Sequence, residues 1–148
     1  MKPNNTDKKM FVLYINASKG KELDVFLLHN NKILAKQNVK GDFKVSENLL
    51  KLITKLLKQN KVEFKQLNGI IAVSGPGPFT SLRIAAAVAN TLAFALQIPV
   101  VGIPIKNIKI TEAELIKLGI KEIHKAKIGD YIHPFYNQEP NITKAKKY

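Results

Sequence analysis

The most constraining feature of this sequence is an alternation of glycine and proline, Gly75-Pro76-Gly77-Pro78, between two apolar segments. Proline lacks a backbone donor and glycine tolerates unusual φ values, so this run must end any regular element. The segment before it, Gly69 to Val73, has the length and composition of a buried strand. The segment after it, Leu82 to Leu96, is rich in Ala, Leu and Val and predicts a helix. A strand follows at Pro99 to Ile103, which implies parallel strands joined by a right-handed crossover.

Three strands are predicted upstream of this unit. Met10 to Ile15 is an apolar run of strand length, and Asp24 to His29 is a second. Lys32 to Val39 alternates in part and forms the third. Asn30-Asn31 suits a tight hairpin turn because Asn tolerates positive φ. Short turns between successive strands indicate an antiparallel meander.

The apolar period changes to that of a helix from Ser46 to Gln59, with Ser46 as the predicted N-cap. Its apolar stripe comprises Leu49, Leu50, Ile53, Leu56 and Leu57, and lysines occupy the other face. The element order is therefore β-β-β-α-β-α-β. We expect an α/β fold in which helices pack on a mixed sheet.

Weaker signals follow Pro104. Thr111 to Leu118 predicts a short helix in which Thr111 and Glu114 form a capping box and Gly119 is the stop. Tyr131 to Tyr136 is expected to be a final strand or an extended arm. Residues 1–9 are expected to be a flexible N-terminus, 10–104 the main domain, and 131–148 a C-terminal tail.

Composition narrows the class of protein. A length of 148 residues fits one domain, and the absence of cysteine excludes disulfides and thiolate metal sites. Neither a secretory signal nor an apolar run of about 20 residues is present, so we expect a cytoplasmic location without a membrane partner. The net charge is +13, but Arg83 is the only arginine among 24 basic residues. Solvated lysines are favoured over dedicated nucleic-acid binding, although weak contact with tRNA stays open.

The glycine–proline turn allows two interpretations. Free backbone N–H groups at the start of a helix could bind an anion. However, the Walker and dinucleotide patterns are both missing, and a rigid corner capped by Thr80 is the favoured alternative. The helix after it is unusually small-chained, so it could pack in the core of this chain or accept another helix closely.

The segment from Gly75 to Ile84 resembles the signature of the TsaB (YeaZ-type) family, normally Gly-Pro-Gly-Ser-Phe-Thr-Gly-Leu-Arg-Ile/Val. The signature loop comprises Gly75, Pro76, Gly77, Phe79, Thr80 and Arg83. Three other segments are similar to the family: Ile98 to Ile103, Ser46-Glu47 with its Leu-rich helix, and the tail from Pro134 to Thr143. The resemblance implies an actin/sugar-kinase-like (ribonuclease H-like) first domain, with 105–130 as a reduced remnant of the second domain.

The same resemblance implies a protein without catalytic residues, metal or cofactor. Where relatives carry an Asp in the first hairpin, this chain has Asn16, which cannot act as a base. Asp24 is the nearest acid and has no second carboxylate at strand or helix spacing. The histidines, His29, His124 and His133, are expected to be surface or tail residues and are not spaced like the metal-binding pair of the TsaD sibling.

The resemblance instead implies binding to a TsaD-like catalytic subunit of tRNA N6-threonylcarbamoyladenosine modification, together with a TsaE-like ATPase. The two helices would form the interface, through Leu49, Ile53, Leu56, Leu82, Ala86, Ala89, Asn90 and Ala93. A homodimer could use the same surface. Two alternatives remain open: a nucleotide-binding module at the signature loop, and a tRNA-binding accessory using Lys51, Lys55, Lys58 and the lysines of 144–147.

Overall fold

The computed structural model of the chain describes residues 10–133, so the expectations for 1–9 and for 134–148 lie outside the described residues. In chain order, the elements are β1 (Phe11–Asn16), β2 (Glu22–His29), β3 (Lys32–Lys40), α1 (Val45–Gln59), a 3₁₀ turn (Phe64–Gln66), β4 (Leu67–Gly75), α2 (Phe79–Leu96), β5 (Val100–Pro104) and α3 (Glu112–Ile123). The predicted order β-β-β-α-β-α-β is confirmed, and α3 follows it.

The five strands form one mixed sheet in the order β3-β2-β1-β4-β5. β1 is antiparallel to β2 and parallel to β4, and β4 is parallel to β5. The hairpin between β2 and β3 turns at Asn30 and Asn31, whose φ values are 51° and 72°. This turn confirms the prediction from the two asparagines.

Every residue of β1 is buried, because helices cover both faces of the sheet. On one face, α1 and α2 pack together against alternate residues such as Leu13, Ile15 and Ile70. On the other face, α3 packs against the intervening residues Val12, Tyr14 and Ile71. The chain therefore has three layers, with the pair α1–α2 on one side and α3 on the other.

Two predicted helix caps are wrong. α1 is preceded by Lys44 and α2 by Pro78, and neither residue makes a capping hydrogen bond through its side chain. Ser46 and Thr80 lie one residue inside their helices, so their side chains do not occupy the position before the first turn. Each helix begins earlier than its apolar period indicates.

The capping box of α3 is confirmed, because Thr111 and Glu114 exchange backbone–side-chain hydrogen bonds of 2.9 and 3.1 Å. Gly119 does not end the helix, which continues to Ile123. A Cβ on Gly119 would lie 2.6 Å from Cγ2 of Ile71, so glycine lets α3 approach β4. Residues 131–133 are not in a strand, so the strand alternative for 131–136 is wrong in the described part, and the remainder of that range lies outside the described residues.

Helix α2 is long and apolar enough to span a membrane by length and composition alone. The core helix of a soluble protein can meet the same criterion. Five of its residues, Leu82, Ala85, Ala86, Ala89 and Ala93, are buried in the core of this chain. These make up 28% of the helix, and Phe94 is 76% exposed, so packing on the sheet accounts for part of its apolar character.

The contact between α3 and β4 can be tested with Gly119→Ala. We expect destabilisation by up to about 2 kcal/mol, because overpacking costs about 1–3 kcal/mol and alanine recovers about 1 kcal/mol of helix propensity. Urea unfolding measures the change. In a double-mutant cycle, Ile71→Ala should cost less in the Gly119→Ala background than alone. A more stable Gly119→Ala protein would contradict the close approach.

Candidate functional site

A crevice of about 490 Å³ lies where β1 and β4 end, next to the loop that connects β5 to α3. Its polar lining comes from Asn16, Ser18, Lys19, Lys106 and Glu112. Its apolar lining comes from Ile105, Ile108, Ile110 and Leu115. The carboxyl ends of parallel strands are where open α/β sheets usually bind ligands, so this crevice is the candidate ligand-binding or catalytic site.

The signature loop forms one wall of the crevice and rests on the turn that follows β1. A Cβ on Gly77 would lie 2.7 Å from the backbone oxygen of Ser18, so only glycine fits there. Gly75 has a φ of 120°, which also favours glycine. Pro78 lies near Gly20 of the same turn. Gly75 and Gly77 therefore allow the signature loop to pack against the turn that follows β1.

At the floor of the crevice, the carboxylate of Glu112 accepts hydrogen bonds from β1. Tyr14 donates its hydroxyl to Oε2, and Asn16 donates its side-chain amide to the same atom at 3.0 Å. Asn16 in turn accepts from the backbone N–H and the hydroxyl of Ser18, at 3.0 and 2.6 Å. These bonds join the start of α3 to the end of β1.

Lys19 connects the same carboxylate to β2. Its ammonium lies 3.0 Å from Oε1 of Glu112, 2.7 Å from Oδ2 of Asp24 and 3.9 Å from Oε1 of Glu22. Asp24 also accepts from the amide of Asn38 at 2.6 Å. The prediction that Asp24 stands alone is therefore wrong, because β-pairing and α3 bring carboxylates together from distant parts of the chain.

Two pKa values are displaced by this cluster. Burial raises the pKa of the Tyr14 hydroxyl, and its hydrogen bond to Glu112 raises it further. Burial by itself lowers the pKa of Lys19, but hydrogen bonds to Asp24 and Glu112 more than offset it, so the net shift is upward. Both groups are held in their protonated forms at neutral pH.

The cluster is poorly suited to acid–base or phosphate chemistry. Glu112 already accepts from Tyr14, Asn16 and Lys19, so its carboxylate is not free to take a proton from a substrate. Lys19 is already paired, and a phosphate would have to displace a carboxylate to reach it. Among residues 10–133, no group of three or more His, Asp or Glu side chains could hold a metal ion.

Glu112 is the residue that sequence reasoning missed. It immediately follows Thr111, but in the sequence only Glu114 was assigned a role, as the partner of Thr111 in the capping box. The available signal was an acid at the first position of a helix that follows a strand of the same sheet. Its long-range partners could not be seen without the pairing of β1, β2 and β4.

The histidines lie in different parts of the structure. His124 and His133 are exposed, whereas His29 is half-buried and stacks on Phe11 with ring centroids 4.8 Å apart. Its Nε2 atom is buried without a hydrogen-bond partner. The expectation of a surface position is therefore wrong for His29, because the end of β2 pairs with the start of β1.

The predicted interface residues do not face solvent. Seven of them are buried in the core beneath the helix pair: Leu49, Ile53, Leu56, Leu82, Ala86, Ala89 and Ala93. The eighth, Asn90, exchanges two hydrogen bonds of 2.8 and 3.1 Å with the backbone of Ile132. The stripe chosen from the sequence is the stripe that packs on the sheet, so these side chains are not accessible to a partner.

The helix pair presents a different set of residues outward. On α1, Leu50 is 51% exposed and Thr54 is exposed. On α2, Ala87 and Thr91 are exposed, and Ile84 is half-buried between them and the core. We call these five residues the outer surface of the helix pair. Three of its members have short side chains and none carries a charge, although the exposed Arg83 lies one turn before Ala87.

The pKa displacements predict loss of stability at alkaline pH. Folded Tyr14 and Lys19 keep their protons at pH values where the unfolded chain releases them, near pH 10. The stability they contribute is therefore complete below about pH 10 and is lost as pH rises above it. Denaturant unfolding from pH 8 to 11 should show this decline.

Tyr14→Phe should make that decline shallower, although it destabilises the chain by about 1–3 kcal/mol at neutral pH by removing a buried hydrogen bond. Tyr131→Phe is the matched control, because Tyr131 is 63% exposed. The same pH dependence in Tyr14→Phe and in the parent chain would contradict a role for Tyr14.

A family model described as TsaD, tRNA N6-adenosine threonylcarbamoyltransferase, matches residues 43–115. Among curated proteins, the chain is similar to the tRNA threonylcarbamoyladenosine biosynthesis protein TsaB of Buchnera aphidicola subsp. Acyrthosiphon pisum. They are 37% identical over 119 residues, which cover 80% of this chain and 50% of that protein. TsaB of Buchnera aphidicola subsp. Schizaphis graminum is 40% identical over 55 residues, 37% of this chain and 26% of that protein.

Among solved structures, YeaZ from Pseudomonas aeruginosa superposes with a TM-score of 0.59 at 32% sequence identity. The superposition covers 64% of this chain and 44% of the YeaZ chain. These matches confirm the actin/sugar-kinase-like fold class. The chain spans about half the length of the curated relative with the longest of these alignments. By sequence and by fold, the chain is similar to the TsaB (YeaZ) proteins over about half of their length.

Proposed function

We propose that this chain is a non-catalytic partner protein in tRNA threonylcarbamoyladenosine biosynthesis. Its similarity to TsaB supports the pathway. The absence of a catalytic role is inferred from Glu112, whose carboxylate already accepts from three donors of the same chain. Asn16, at the end of β1, is a neutral amide and supplies no base.

The proposed partner is a TsaD-like catalytic subunit. TsaB resemblance implies pairing through the two helices of the first domain, which here are α1 and α2. The outer surface of the helix pair supports this assignment because its own members are uncharged, and the short side chains of Thr54, Ala87 and Thr91 would let another helix pair approach closely. The buried stripe beneath it holds both helices on the sheet and fixes their orientation.

A TsaE-like ATPase and a second copy of this chain are further proposed partners. A second copy would use the same outer surface, since a two-fold interface brings one patch against itself. The homodimer and the complex with the catalytic subunit would then exclude each other. Localisation in the cytoplasm belongs to the same proposal, because the proposed substrate system modifies tRNA.

A nucleotide-binding module is not favoured. Two lysines line the crevice beside the signature loop: the ammonium of Lys19 is already bonded to Asp24 and Glu112, and Lys106 is exposed on the connection from β5 to α3. The start of α2 is free of acidic residues, yet a helix start alone does not make a site. Among the described residues, no contact favours a triphosphate over water as the occupant of the crevice.

The interface can be tested with Ala87→Glu. Ala87 is exposed, so the variant should fold normally, whereas in the complex a glutamate there would lose its hydration and its longer side chain would hold the two helix pairs apart, even with Arg83 one turn away. We expect affinity for the TsaD-like subunit to fall by about 100-fold or more. Light scattering after size-exclusion chromatography measures complex formation, with circular dichroism to verify folding.

Ala113→Glu is the matched control, because Ala113 is exposed in the first turn of α3 on the opposite layer. It should leave the complex intact. Normal binding by Ala87→Glu would reject this surface. Ala86→Glu and Ala89→Glu are unsuitable, since both positions are buried in the core and an unpaired charge there would unfold the chain.

A further inference from the structure

Four lysines follow one side of α1 at helical spacing. Lys44, Lys51 and Lys58 are separated by seven residues each, and Lys55 lies four residues after Lys51. All four are exposed. At about 1.5 Å per residue, two helical turns place successive members of the heptad series about 10 Å apart along the axis. We call these four residues the lysine face.

The lysine face carries unneutralised charge. No ion pair to any of its four members is found among residues 10–133. Other exposed lysines, such as Lys109, Lys117 and Lys121, are unpaired as well, and the lysine face differs from them in placing four unpaired lysines on one side of one helix. Glu47 is the one acid of α1, and it lies in the first turn. The positive charge of this face is therefore available to a partner.

The helix beneath the lysine face is firmly held. Val45, Leu49, Ile53, Leu56 and Leu57 are buried against the sheet. On the side of α1 nearest β3, Gln59 accepts a hydrogen bond of 2.8 Å from Gln37. The lysines therefore project from a fixed scaffold, and their spacing is set before any partner binds.

We infer that the lysine face of α1 binds the phosphate backbone of folded RNA. Phosphate contacts need positive charge at regular spacing and little else. A protein partner would require apolar or aromatic anchors. Leu50 is the exposed apolar residue of α1, and it lies in the outer surface of the helix pair rather than among the lysines.

This inference goes beyond the proposed function and does not depend on it, since binding is measured with this chain alone. Under the proposed function, the RNA would be the substrate tRNA. The lysine face would then hold the tRNA beside the surface that binds the catalytic subunit. The two surfaces share α1 but use different residues.

The test compares two triple variants of the full chain. Lys51→Gln/Lys55→Gln/Lys58→Gln removes three charges from the lysine face. Lys109→Gln/Lys117→Gln/Lys121→Gln removes three exposed lysines from α3 and the loop before it. Both variants keep the tail and have the same net charge, so a difference between them reports position. Fluorescence anisotropy with a labelled tRNA transcript gives affinity as a function of salt concentration.

We expect the α1 variant to bind tRNA about 10-fold or more weakly at low salt, and its salt slope to fall by about 3, one for each lysine that contacts phosphate. The α3 variant should lose much less. Equal loss in both variants would overturn the inference, because binding would then follow net charge. Displacement of tRNA by polyglutamate at equal charge concentration would also overturn it in favour of an acidic protein surface.

Discussion

The apolar character of β1 on both of its faces is the constraint on which the rest of the structure depends. All six residues of β1 are buried, so the sheet must be covered on two sides. α1 and α2 supply one cover and α3 supplies the other. Because α3 packs directly on Ile71 through Gly119, the segment after β5 is part of the hydrophobic core. Its proposed origin as a remnant of a second domain remains a prediction.

The polar cluster at the end of β1 follows from this layering. α3 must begin near the carboxyl edge of the sheet to cover its second face, and this places Glu112 next to Tyr14 and Asn16. A carboxylate brought into a partly buried position needs donors, and the hydroxyl, the amide and the ammonium of Lys19 provide them. The polar side chains at the floor of the crevice are thus bonded to one another, and these bonds stabilise the third layer.

The family model and the curated relatives carry two different protein names. The family model matching residues 43–115 describes a transferase, whereas the curated relatives and the solved structure are TsaB and YeaZ. Residues 43–115 run from the loop before α1 to the first turns of α3 and exclude β1 to β3. The matched part contains α1, β4, α2 and β5. Asn16, Lys19 and Asp24 lie outside it, and they set the chemistry of the crevice together with Glu112.

The sequence by itself determined the order of the elements, the hairpin at Asn30-Asn31 and the capping box of α3, because each follows from local periodicity or local backbone preference. It also carried the family signature. It did not determine which stripe of α1 and α2 faces outward, since Leu49 and Leu50 are equally apolar and only packing on the sheet buries one and exposes the other. Likewise, the partners of Glu112 lie about 90 residues or more away in the chain. Only the tertiary structure brought them together, because strand pairing and helix packing set such contacts at distances along the chain that no local pattern records.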